Sequence, residues 1–157
     1  MLMTTTKQSF HMAAAALMTL LSSNLAANET ITAAVDQYVR AQTRGLPGRV
    51  DVTVAALDPR TQVGACTALD PFTPSGNRLW GKTMVGVRCL APAAWTIYVP
   101  VQVRVYAPYV VTNRPISAGQ LLSATDLDSR EGDLTTLPTG IITAPGQGVG
   151  KTPKNSV

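Results

Sequence analysis

Histidine is all but missing from this chain. His11 is the only one, and it lies in a segment expected to be removed on export. Without an imidazole the exported form lacks both a Ser-His or Cys-His pair and a His-ligated metal, which excludes most hydrolase and zinc mechanisms. Charged residues are sparse at 14% and aromatics sparser at 5%. The 13 basic side chains exceed the 9 acidic ones for a net charge of +4, but they are scattered from Lys7 to Lys154. No basic run alternates with aromatics, so a nucleic-acid-binding stripe is unsupported. The longest apolar run, Met12–Leu21, is about half of the roughly 20 residues a membrane span needs.

That run fits instead the apolar core of a secretory signal. Lys7 and His11 precede it without any acidic residue, and Ser22-Ser23-Asn24 and then Leu25-Ala26-Ala27 follow it. Residues 1–27 are therefore expected to be removed after Ala27, leaving a soluble product outside the cytosol without stable membrane insertion. In that oxidising setting the only two cysteines, Cys66 and Cys89, read as one disulfide closing a loop rich in proline and glycine. Reactive pairs usually sit as C-x-x-C at a helix start, and these two lie far apart, so the bridge is expected to be structural.

The periodicity after the cleavage site switches once. Asn28 to Gln42 reads as an amphipathic helix with Ile31, Ala34, Val35, Tyr38 and Val39 on one face, ended by Gly45-Leu46-Pro47-Gly48. Arg49–Val54 then alternates polar and apolar at period two, and Met84–Cys89 and Trp95–Tyr106 read as further strands. In the last of these Val99, Val101, Val103 and Val105 share one face, while Gln102 and Arg104 share the other. Past Tyr106, Gly119 stands where a tight turn needs a positive φ, and Leu121-Leu122 is expected to resume an apolar strand. Ser123 and Asp126 are spaced as a capping box, which predicts a short helical turn over Thr125–Leu127. Leu134–Gly140 suggests a second short turn.

Two stretches imitate catalytic motifs. Pro145–Thr152 comes close to G-x-x-x-x-G-K-T, but Pro145 replaces the first glycine and Pro153 stands where a phosphate-binding helix should start. An ordinary glycine-rich loop is the better reading. Glu131 and Asp133, or Asp51, Asp58 and Asp70, could be imagined as a glycosidase pair, yet nothing in their spacing fixes two carboxylates across a cleft. No catalytic residue, metal ligand or cofactor site is expected. Trp95, Tyr106 and Tyr109 could line a saccharide groove, although strand aromatics more often serve packing.

The pattern Arg114-x-Ile116-x-x-Gly119-x-x-Leu122-x-x-x-Asp126-Leu127 resembles the opening of a SAF domain, a β-clip module. Upstream, Cys66, Gly86-Val87-Arg88-Cys89-Leu90 and Trp95-Thr96-Ile97-Tyr98-Val99-Pro100-Val101 resemble the flagellar branch of that group, the periplasmic FlgA-type chaperones for P-ring formation. The resemblance implies a mainly β (α+β) fold, with an N-terminal helix-and-sheet domain over residues 28–106 and a SAF domain over residues 107–157. It also implies a non-enzymatic role: binding the flagellar P-ring subunit and promoting ring assembly. Members of the family continue through a second half of the clip. Gly150–Val157 resembles only its lead-in, so the clip is expected to be truncated and incomplete, and residues beyond about 128 are expected to lack strand partners. An exported saccharide- or peptidoglycan-binding SAF module is the alternative, and a small exported hydrolase is disfavoured by the missing histidine.

Overall fold

The structure, a computed structural model, describes residues 27–58 and 60–157; the expected signal segment, Ala27 apart, lies outside the described residues. Helix α1 covers residues 27–42. Five strands follow: β1 (Arg49–Val54), β2 (Leu69–Phe72), β3 (Gly81–Cys89), β4 (Trp95–Thr112) and β5 (Leu127–Asp133). Hydrogen bonding joins them in the order β1-β4-β3-β2, with β5 also paired to β4. The chain is thus mainly β with one N-terminal helix, as the alternation of its valines predicts.

Two compact units divide the chain. The first comprises α1 as far as Val39, Val54–Asn77 and Met84–Val101. Its helix contributes Ile31, Val35 and Val39, and its strands contribute Val85, Val87, Cys89, Val99 and Val101, all buried. This stripe follows from the 3.6-residue period of α1 meeting the two-residue period of β3 and β4. Ala34 and Tyr38, on the flanks of the helical stripe, are only half-buried. The Tyr38 hydroxyl meets the Thr73 hydroxyl at 3.0 Å, which ties the helix to the end of β2. β2 pairs antiparallel with β3, Leu69 opposite Cys89 and Phe72 opposite Gly86.

The Cys66–Cys89 disulfide is formed within this unit. A short backbone ladder flanks it: Thr67 N–H donates to Ala91 O at 3.0 Å, and Leu90 N–H donates to Ala68 O at 2.9 Å. Both cysteines therefore sit at the mouth of the loop they close, with Cys89 buried and Cys66 half-buried.

The second unit comprises Arg40–Thr53, Arg78–Thr83 and Gln102–Val157. β4 runs six residues beyond the expected end at Tyr106, because Tyr106–Thr112 pair residue by residue with Leu127–Asp133. Val52, Val103, Val105, Ala107, Ile116 and Leu134 form its buried apolar set. The turn expected over Thr125–Leu127 is a 3-10 turn at Ala124–Asp126, one residue earlier. A second 3-10 turn covers Leu134–Thr136, with the Asp133 carboxylate accepting from Thr135 N–H.

Two expectations for this region are corrected. Leu121-Leu122 is not a strand: Leu121 is 66% exposed, and the backbone there bonds to a loop. The partner is the C-terminal stretch, so residues beyond 128 do not lack partners. Ile116 and Val157 exchange two backbone hydrogen bonds, at 2.7 and 3.0 Å. Gly119 N–H donates to Pro153 O, Leu122 N–H to Lys151 O, and Gly150 N–H to Leu122 O, each at 2.9 Å. The physical reason is that Gly119 and Gly150, at φ +77° and +76°, turn the chain so that two irregular segments run side by side. Together with the β4–β5 ladder, this satisfies backbone groups that a severed clip would leave bare.

Candidate functional site

Five of the six residues of the SAF-like pattern fall into two groups in space. Arg114 and Asp126 form a charged knot. Arg114 Nε donates to Asp126 Oδ1 at 2.8 Å and its Nη2 lies 2.7 Å from the same oxygen. Asp126 Oδ2 accepts from Ser123 N–H at 3.0 Å and from the Ser123 hydroxyl at 2.7 Å. With its amide oxygen turned toward Arg114, the Gln120 side chain accepts from Nη2 at 2.7 Å. The box differs from its usual form, since the Ser123 hydroxyl donates to the carboxylate instead of capping a backbone N–H. Asn113 completes the closure, its N–H donating to Asp126 O and its side chain to Thr125 O.

Ile116, Gly119 and Leu122 form the second group, along the segment bonded to the C-terminal stretch. Ile116 anchors it at 1% exposure. Leu127 begins β5 and reaches toward Gly148, where an added Cβ would meet its side chain.

The knot is built to hold shape. Hydrogen bonds from the Ser123 backbone and hydroxyl, with Arg114, lower the Asp126 pKa from 3.8 to about 2. Asp126 is ionised at neutral pH with its acceptors occupied, so it cannot shuttle protons. A carboxylate whose pKa falls on folding stabilises the fold above its unfolded value and loses that contribution as pH drops through the folded one. Asp126→Asn is therefore expected to lower the denaturation midpoint at neutral pH, and the gap to the parent should close between pH 3.8 and about 2. A gap that stayed constant over that range would place its origin elsewhere. Asp133 is also lowered. Burial opposes its ionisation, but Thr135, through hydroxyl and N–H, and the Val105 N–H outweigh that cost.

A second cluster lies on the open face of β2 and β3 and went unrecognised in the sequence. Arg88 pairs with Asp70 at 2.6 Å and lies over the Phe72 ring at 4.5 Å. Phe72 in turn meets Tyr98 edge-on at 6.3 Å. Gly86 is the only residue type that fits under that ring, since any Cβ would collide with it. The available signal was the cross-strand spacing, which needs β2 to be identified first. The three aromatics considered for a saccharide groove are otherwise employed. Trp95 donates to Gly64 O at 3.1 Å, Arg49 covers Tyr106 at 4.3 Å, and Tyr109 lies against Gly132. Among the described residues no group of three His, Cys, Asp or Glu side chains could hold a metal.

Against this geometry the comparisons with known proteins are consistent with each other. Residues 31–105 match the FlgA N-terminal domain, and residues 107–157 match the SAF domain. The chain belongs to the FlgA family. A curated relative, the flagella basal body P-ring formation protein FlgA of Yersinia enterocolitica, is 28% identical over 111 residues, covering 71% of this chain and 47% of that protein. The chain thus spans about half the length of that relative. The crystal structure of Salmonella FlgA in closed form superposes with a TM-score of 0.59 at 22% identity, over 82% of this chain and 62% of the other. The open form gives 0.52 at 22% identity, over 81% and 60%. At that identity the likeness establishes the fold.

Proposed function

We propose that this chain is a periplasmic, non-enzymatic assembly factor that binds the flagellar P-ring subunit and promotes ring formation. The observation that carries the reading is the succession of a FlgA N-terminal domain and a SAF domain in one chain, together with the likeness to a relative named for P-ring formation. The Cys66–Cys89 bridge supports an oxidising compartment such as the periplasm. The reading divides the exported chain into residues 28–106 as the helix-and-sheet domain and residues 107–157 as the SAF domain. Within the latter, Arg114, Ile116, Gly119, Leu122, Asp126 and Leu127 hold the clip opening in shape, and no catalytic step is assigned to them.

Deleting the gene is expected to abolish motility and to yield basal bodies that have rods and inner rings but no P ring. Electron microscopy of purified basal bodies reads this directly, and pull-down from periplasmic extract should recover the ring subunit. Normal P rings in a deletion strain without a paralogue would refute the assignment.

A further inference from the structure

Beside the end of α1 lies a surface cavity of about 360 Å³, entirely within the second unit. Arg40 and Arg44 stand at its rim, and Leu46, Val50 and Val52 supply apolar lining. No carboxylate lines it. The Arg44 side chain is exposed and makes no ion pair or hydrogen bond among the described residues. The cavity therefore offers a cation next to an apolar floor.

Val50 and Val52 belong to β1, which ends the strand order and is bonded to β4 alone. The Ala55 N–H donates to Pro100 O at 3.0 Å. Counting back along that antiparallel pairing sets Arg49 opposite Tyr106, which is where the guanidinium covers the ring. In this register the N–H and C=O groups of Val50 and Val52 point away from β4. Among the described residues no backbone group bonds to that outer side. An open strand edge, an apolar floor and an unpaired guanidinium thus meet at one place.

We propose that the free edge of β1 and this cavity form a docking site for an extended segment of another polypeptide. The segment pairs with Val50 and Val52 by strand addition and sets apolar and acidic side chains on its cavity-facing side. Open edges invite main-chain pairing, and alternate side chains of the added strand then give specificity. The carboxylate is selected by charge complementarity with Arg44, because the lining holds no acid to oppose it. A small anion would use the guanidinium but neither the edge nor the valines. The proposal takes from the functional reading only that the chain binds a polypeptide.

The test uses protein purified from the periplasm and a short blocked peptide in which threonines alternate with valine, glutamate and valine. Binding is read by anisotropy, and its place by amide exchange. The peptide is expected to bind and to slow exchange at Val50 and Val52. Replacing its glutamate by lysine should weaken binding at least tenfold. Arg44→Glu should weaken binding of the glutamate peptide to a similar degree and restore that of the lysine peptide. N-methylating the peptide amides that face β1 should abolish binding without touching the protein's fold. Absence of peptide binding, indifference to N-methylation, or protection away from β1 would overturn the proposal. So would full competition by inorganic phosphate or by anionic lipid vesicles in the absence of any strand protection. A failure here leaves the ring phenotype of a deletion strain unaffected, and a normal ring in that strain leaves the peptide result unaffected.

Discussion

A Cys66→Ala, Cys89→Ala double variant is expected to lose about 3 kcal/mol of stability. The bridge closes a loop with a sequence separation of 23, and the chain-entropy model assigns ~3 kcal/mol to a crosslink of that span. Val85 and Val87 of the closed segment pack into the core of the first unit, but the stretch joining β2 to β3 adds no packing there. It includes Pro74 and Gly76, and residues 75–78 are all exposed. The flanking bonds of Thr67 to Ala91 and Leu90 to Ala68 hold the loop mouth in the folded state, but they do nothing to the unfolded ensemble, where the crosslink acts. Truncating buried Cys89 adds a small packing loss. Since domains of this size are stable by roughly 5–15 kcal/mol, a large share of the total is at stake. Urea denaturation of the oxidised parent and the double variant measures it. Partner binding per folded molecule should change little, whereas abundance in the periplasm should fall. A midpoint shift near zero would show that the ladder alone keeps the loop closed.

What was legible in the sequence was legible because burial imposes a period. Val99, Val101, Val103 and Val105 alternate with exposed or half-exposed residues along β4 and are all buried. Ile31, Val35 and Val39 repeat every fourth residue and are buried too. The elements that escaped notice lack that signature. β5 reads Leu-Asp-Ser-Arg-Glu-Gly-Asp and buries no residue fully, so its strand character comes from backbone pairing with Tyr106–Thr112 rather than from a hydrophobic face. β2 is four half-buried residues interrupted by Pro71, whose missing N–H suits an edge position. The pairing of Ile116–Leu122 with Gly150–Val157 joins segments about thirty residues apart through irregular backbone, and no local pattern announces it. The Arg114–Asp126 knot is intermediate. Its capping spacing was readable, while the guanidinium that completes it depends on the β4–β5 hairpin bringing residue 114 back onto residue 126.

The same dependence on distant backbone makes Gly48 the most sensitive small residue of the second unit. It ends the turn between α1 and β1 at φ +88°, a region that costs a side-chain-bearing residue about 1–3 kcal/mol. A Cβ there would also collide with the Tyr106 carbonyl oxygen and lie 2.7 Å from the Ala107 Cβ. Neither obstacle is the mobile end of a side chain; both belong to the middle of β4, paired on both sides of that point. Relief by local movement is therefore closed, and overpacking of this kind adds about 1–3 kcal/mol. Gly48→Ala is expected to cost about 3 kcal/mol or more. Gly119→Ala provides the comparison, since Gly119 has a similar φ of +77° with nothing within 4 Å of an added Cβ. It should cost about 1 kcal/mol, from backbone strain alone. Equilibrium denaturation of the two variants side by side separates strain from collision. Equal losses would mean that β4 yields to the new methyl, and that the start of β1 is held less firmly than its contacts with Tyr106 and Ala107 indicate.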